Sequence, residues 1–181
     1  MPPPIRVELI PYTAAWPAMA AEFIGQLRAL GGFVLEVHHI GSTSVPGLSA
    51  KPIIDLMPVV VRLSELDRRQ QDVVALNFEW HGEFGMAGRR YCTLNDSDGR
   101  RIAQLHFFET GSMHVARHLA FRDYLRAHPE TARAYEKEKR RARDLHPADS
   151  HAYTEAKDAW IRQIEAKALI WYRARNQSRG V

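Results

Sequence analysis

Apolar and polar positions alternate or recur along this chain in patterns that predict most of its elements. Residues 5–10 alternate, which predicts a short strand. Trp16, Met19, Ala20, Phe23, Leu27 and Leu30 then recur at helical spacing, with Thr13 as N-cap and Gly31-Gly32 as the stop. Residues 33–40 are β-rich and read as a strand. Residues 52–61 are apolar on both faces apart from Asp55, the pattern of a strand central in its sheet. A helix is predicted over 64–76, a short strand over 77–81 and a loop over 82–88. Residues 89–94 and 101–109 alternate and flank Asn95-Asp96-Ser97-Asp98-Gly99, which predicts a hairpin. The Asp-Ser-Asp-Gly string lacks the trailing ligands and bidentate glutamate of a calcium loop and reads as a turn.

Beyond Gly111 the pattern turns helical. Helices are predicted over 112–127 and 129–145, the second with Pro129 in its first turn. His146-Pro147 breaks the run, and Asp149 or Ser150 caps a last helix reaching to about residue 175. Tyr153, Trp160, Ile164 and Trp171 form its apolar stripe, expected to be core. Residues 1–4 are expected to be an extended lead-in, and 176–181 a disordered tail. The fold class is α+β, as one domain over 1–181. Residues 1–110 make a mixed sheet with its early helices, and a basic helical part over 111–175 packs on it.

Composition narrows the function classes. Hydrophobic content of 45% and charged content of 25% are those of an ordinary globular chain, and no apolar run approaches a membrane span. No secretion-signal pattern opens the sequence, and the single cysteine, Cys92, has no partner for a disulfide or a CxxC site. A cytoplasmic protein is expected. Residues 1–110 carry 10 basic and 12 acidic residues, whereas 111–181 carry 15 and 9. That basic half suits phosphates, nucleic acid or an acidic partner. No RRM, KH or zinc-finger motif supports sequence-specific nucleic-acid reading, and Lys137–Arg143 reads as a solvated helix face.

The chemistry gathers at His38-His39-Ile40-Gly41-Ser42-Thr43-Ser44 and at Lys51-Pro52-Ile53-Ile54-Asp55. A small loop after a strand exposes backbone N–H groups, and Ser42, Thr43 and Ser44 add hydroxyls, so the loop suits phosphate. It lacks the spacing of a P-loop. A carboxylate inside an apolar strand is costly unless paired, hydrogen-bonded or bound to metal, which singles out Asp55. Two-metal phosphoryl chemistry wants a second carboxylate two residues on, and that position is Met57. His106, and His39 or His38, are the candidates to complete a Mg²⁺ or Mn²⁺ site with Asp55, and His106 doubles as a candidate catalytic group. Lys51 and Arg90 are candidate phosphate clamps.

These residues carry a resemblance. HHIGSTSVPGLSAKPIIDLMPVV resembles the signature of the GrpB family, and HLAFRDYLRAHPETARAYEKEKRRA and AYTEAKDAWIRQIEAKA resemble its two later blocks, each with a Y-x-x-x-K step. The match covers about residues 5 to 171. The resemblance implies a nucleotidyltransferase-like mixed sheet flanked by helices. By that likeness Gly41, Ser42, Thr43 and Ser44 are the phosphate turn, Asp55 is the first carboxylate, and Arg122, Lys139 and Lys157 face the cleft. The family's H-x-H strand is Gln104-Leu105-His106 here. GrpB-like segments also occur fused to dephospho-CoA kinase. The resemblance thus implies a metal-dependent nucleotidyltransferase-like protein. One alternative is a module that binds a nucleotide or other phosphorylated small molecule, CoA-related compounds included, without turnover; another, ranked below it, is an RNA- or protein-binding domain using the basic C-terminal helices.

Overall fold

The structure is a computed structural model and describes residues 4–177. In chain order the elements are α1 (Ala15–Arg28), β1 (Val34–Ile40), a 3₁₀ turn (Ser42–Ser44), β2 (Ile54–Val60), α2 (Leu63–Arg68) and α3 (Gln70–Val74). Then come β3 (Glu79–Trp80), β4 (Arg89–Asn95), β5 (Arg101–Glu109), α4 (Met113–Ala127), α5 (Pro129–Leu145) and α6 (Ser150–Gln177). The five strands form one sheet in the order β1-β2-β5-β4-β3. Only β2 and β5 run parallel, so the sheet is mixed and the class is α+β.

Helices cover both faces, which is why β2 is apolar on both sides. On one face Trp16, Ala20 and Leu27 of α1, with Leu66 and Val73 of α2 and α3, pack on Leu56, Leu105 and Phe107. On the other, Val115 and Leu119 of α4 pack on Ile40, Met57 and Phe108. The helices α5 and α6 extend this second layer, and Val45 and Leu48 of the loop after β1 are buried against Leu125 and Tyr135. That loop is therefore held by core packing on the helical side.

Several expectations need correction. Residues 5–10 alternate, with Val7 buried and Leu9 packed against Tyr153 and Ala142, but they form no strand of the sheet and make one isolated bridge outside it, Ile10–Ala50. Their backbone donors go to the helical layer: Ile5 N–H to Ser150 Oγ at 3.1 Å and Val7 N–H to the Pro147 carbonyl at 2.9 Å. Alternation reported a half-buried extended segment whose partner is helical. The helix expected over 64–76 breaks at Arg69, whose guanidinium donates to the Leu30 carbonyl at 3.1 Å and lies 4.3 Å over Phe33. The first helix begins two residues past Thr13, whose hydroxyl still accepts from Ala15 N–H at 3.3 Å. Asp149 rather than Ser150 caps α6, accepting from His151 and Ala152 N–H at 2.8 and 3.1 Å. In the hairpin turn Asp96 accepts the N–H groups of Asp98 and Arg100. The lead-in at 1–3 and the tail at 178–181 lie outside the described residues, while Asn176 and Gln177 belong to α6.

Candidate functional site

The site starts from a glycine. Gly41 has φ +69° and ψ −173°, a region that residues with a Cβ avoid. Space adds a second demand, because a Cβ at Gly41 would sit 2.4 Å from Asp55 Oδ2. The turn therefore comes into van der Waals contact with the carboxylate of the neighbouring strand. Antiparallel pairing of Ile40 with Asp55 brings the two together.

Of the three hydroxyls after Gly41, two are consumed by the turn. Ser44 Oγ donates to the Gly41 carbonyl at 2.6 Å, and Thr43 Oγ1 bonds His39 Nε2 at 2.9 Å. Only Ser42 turns to the open side, where it meets the Tyr135 phenol. Thr43 and Ser44 thus shape the loop, and Ser42 is the hydroxyl a ligand can meet.

Asp55 sits in a polar relay across three strands. Parallel register places Gln104 beside Asp55, and antiparallel register places His106 opposite Tyr91. Gln104 Nε2 donates to Asp55 Oδ1 at 2.7 Å, and the Tyr91 hydroxyl donates to Gln104 Oε1. His106 Nε2 lies 3.5 Å from the same carboxylate oxygen. Gln104, the position where this sequence departs from the H-x-H pattern, is the residue that satisfies the half-buried carboxylate.

Beside the relay lies a cavity of about 200 Å³, bounded by Gly41, Ser42, Asp55 and Gln104 and by Lys51, Lys139 and Lys157. Tyr135 and Tyr153 complete its wall, each one helical turn before a lysine on the same helix face. Lys157 Nζ lies 3.9 Å over the Tyr153 ring, and Lys139 Nζ lies 5.1 Å over Tyr135 and donates to the Ser49 carbonyl. Lys139 has a carboxylate neighbour, Glu136, at 3.7 Å. Lys51 and Lys157 form no salt bridge among the described residues; each meets the Tyr153 ring instead. Burial, then repulsion from Lys51 and Lys139, lowers Lys157 to about 7. Burial lowers Lys139 to about 8, against the pull of Glu136. Lys51 is lowered by burial as well, with Asp55 opposing. Burial also pushes Tyr135 up to about 12, so its phenol is a neutral donor.

The structure thus gathers Gly41, Ser42, Thr43, Lys51, Asp55, Lys139 and Lys157 on one cavity, with His106 just behind Asp55. Five candidates lie off the cavity: Ser44, whose Oγ bonds the Gly41 carbonyl, His38, whose Nε2 lies 2.7 Å from Glu36 Oε2, and Arg90, Arg122 and His39. Arg90 pairs with Phe107 in register, so it projects from the face away from Asp55, where it grips Asp67 at 2.6 and 2.7 Å. Arg122 donates to the His39 carbonyl at 3.1 Å and to Asp123 at 2.7 Å, lining a groove behind the turn with Arg126 and Trp171. His39 pairs with Leu56, on the face opposite Asp55, and burial lowers it to about 4. Tyr135, Tyr153 and Tyr91 were not singled out from the sequence as site residues, whereas Gln104 stood out as the departure from the H-x-H pattern. The two Y-x-x-x-K steps held the signal for the first pair.

A resident Mg²⁺ or Mn²⁺ does not fit these donors. Among the described residues no group of three or more His, Cys, Asp or Glu side chains converges. Asp55 is the cavity's sole carboxylate, one of its oxygens accepts an amide, and three lysines share the space. Hard divalent ions need several oxygen ligands. The basic stretch on α5 is neutralised locally: Arg140 pairs with Glu136, Arg141 with Glu138 and Arg143 with Asp144. No helix among the described residues is long and apolar enough to cross a membrane.

Residues 6–167 match the family described as GrpB protein. The chain is 36% identical over 179 residues to the UPF0157 protein YqkA of Bacillus subtilis, covering 98% of this chain and 52% of that one. It is 34% identical over 167 residues to a UPF0157 protein of Pseudomonas aeruginosa, covering 91% of this chain and 68% of the relative. The chain thus spans about half the length of the first of these relatives and two thirds of the second. Among solved structures it is similar to conserved protein GrpB from Enterococcus faecalis, with a TM-score of 0.84 and 37% identity over 91% of this chain and 99% of that one.

Proposed function

This chain belongs to the GrpB family, and we propose that its cleft binds a phosphorylated small molecule of the nucleotide or phosphometabolite class without a resident metal ion. One observation carries the reading: Lys51, Lys139 and Lys157 converge on one cavity that holds a single carboxylate. Burial is the first reason Lys157 and Lys139 are lowered, and at Lys157 repulsion from the ammonium groups of Lys51 and Lys139 adds to it. A phosphate or diphosphate group removes that repulsion and accepts a charge-assisted hydrogen bond from each lysine. Ser42 and the neutral Tyr135 phenol supply further donors at the turn. The Gln104 amide and His106 hold the Asp55 carboxylate in place beside Gly41.

A second reading, nucleotidyl transfer, is favoured by the contact of the Gly41 turn with Asp55, which places a carboxylate beside the candidate phosphate turn. One thermal-shift series separates the two. It takes wild type, Asp55→Ala and Lys139→Met/Lys157→Met through inorganic pyrophosphate, the four nucleoside triphosphates, CoA precursors and sugar phosphates, each with and without Mg²⁺ or Mn²⁺. Binding without metal predicts stabilisation in EDTA, kept in Asp55→Ala and lost in the lysine pair. Stabilisation that appears only with metal and vanishes in Asp55→Ala moves the assignment to transfer chemistry. A flat series refutes both.

A further inference from the structure

The lysine cavity adjoins a second compartment of about 390 Å³, with Lys51, Ile53, Gln104 and Thr154 common to both. Its far wall is Phe84, Arg89, Tyr91 and His106, from the β4–β5 hairpin and the loop before it. Nothing in phosphate binding requires an aromatic wall.

Phe84 is the unusual member. Its φ is +48°, a left-handed conformation that is rare for a bulky aromatic residue and persists only where the surroundings impose it. The surroundings do impose it. Arg89 Nη2 donates to the Phe84 carbonyl at 2.6 Å, and Nε donates to the Glu83 carbonyl at 3.3 Å. Gly88 N–H closes the loop on Glu83 Oε1 at 2.9 Å. The Phe84 ring is backed by Tyr91, stacked at 5.0 Å and 22°, and Tyr91 is in turn flanked by His106 at 5.3 Å. The ring is only partly buried and borders the compartment. Backbone strain thus accompanies an aromatic side chain held at the wall of a compartment that also carries Ile5, Ile53 and charged groups.

We infer that the ligand carries a planar aromatic ring joined to its phosphates, with the ring stacked on Phe84 and the phosphates among the lysines. This rests on the phosphate reading above and narrows the ligand class within it. Ring-on-ring stacking tolerates many ring chemistries, so Phe84 selects for planarity and leaves the edge of the ring to other groups.

The test measures calorimetric affinities for inorganic tripolyphosphate and for each nucleoside triphosphate, in EDTA, on wild type, Phe84→Leu, Phe84→Asn and Phe84→Trp. Wild type is expected to bind at least one nucleoside triphosphate roughly tenfold more tightly than tripolyphosphate. Phe84→Leu and Phe84→Asn are expected to erase that preference while leaving tripolyphosphate affinity unchanged, and Phe84→Trp to keep it. Asparagine tolerates the left-handed backbone, so that variant keeps the loop while removing the ring. Equal affinity for tripolyphosphate and the nucleotides, unchanged by all three substitutions, overturns the inference and leaves the phosphate reading standing. No binding of either probe overturns both.

Discussion

Replacing Gly41 with alanine puts a methyl group where the Asp55 carboxylate already is. The Cβ would lie 2.4 Å from Oδ2 and 3.0 Å from both Cβ and Cγ of Asp55. All three atoms belong to a strand whose backbone is fixed on both sides, so the side chain must rotate away. Rotation gives up the 2.7 Å hydrogen bond from Gln104, a bond to a charged group worth about 1.5–3 kcal/mol. Forcing a Cβ into φ +69°, ψ −173° adds about 1–3 kcal/mol. Gly41→Ala should therefore lower stability by roughly 2.5–6 kcal/mol, or on the order of 10 °C in Tm for a chain of this size. Urea unfolding measures it as a fall in the midpoint with unchanged slope. The mechanism is read from the double-mutant cycle with Asp55→Ala. In that background Oδ2, Cγ and the hydrogen bond are already gone, so the glycine substitution should cost its backbone strain and the remaining 3.0 Å contact with the Cβ at position 55, and the two changes should couple by about 2 kcal/mol. Additivity within about 0.5 kcal/mol would refute the argument that the turn and the carboxylate are in mutual contact.

Two further outcomes are expected. Lys157 and Lys139 are lowered to about 7 and 8 in the folded protein, so above those values the unfolded chain holds more protons than the folded one. These lysines therefore make stability rise with pH from about 7 towards the ordinary lysine range, by at most about 1.4 kcal/mol per pH unit each, while phosphate affinity falls and binding takes up protons. Lys157→Met should flatten the stability profile, raise the resting stability and weaken pyrophosphate binding, all readable by denaturation and calorimetry in buffers of different ionisation heat. Arg90→Ala should leave phosphate affinity unchanged and cost under about 1 kcal/mol, since its pair with Asp67 is partly exposed and lies across the sheet from the cavity. A loss of affinity in that variant would count against the assignment of faces.

The strand-borne half of the site was legible in the sequence, because burial logic works on single residues. An aspartate among Ile53, Ile54 and Leu56 has to be satisfied, and a glycine before small hydroxyl residues signals a close approach. The partner that satisfies Asp55 was not legible. Gln104 reaches it through a parallel pairing 49 residues away, and parallel register leaves no local trace. Arg90 went astray for a related reason. A charge that borders a site in sequence lies on one of two faces, and only the register with Phe107 decides which. Lys139 and Lys157 were reached through family likeness alone, whereas the tyrosine one turn before each is a helical regularity visible in any single sequence. Thr43 and Ser44 show the converse, since hydroxyls that look available in a string are spent on the loop that displays them.

The cavity is walled by Gly41 and Asp55 on one side and by Tyr153 and Lys157 on the other, and Ile5 is pinned to Ser150. A chain made from its N-terminus emerges in that order. The five strands and α1 are complete by residue 109, well before α6 begins at Ser150. In synthesis the residues of the whole sheet are therefore made before the helix that closes the cavity, and that closure is a long-range contact. The segment at 5–10 waits without its helical partner until Pro147 and Ser150 arrive. Ligand present during synthesis has nothing to hold until the last helix docks, and what it then favours is that docking step.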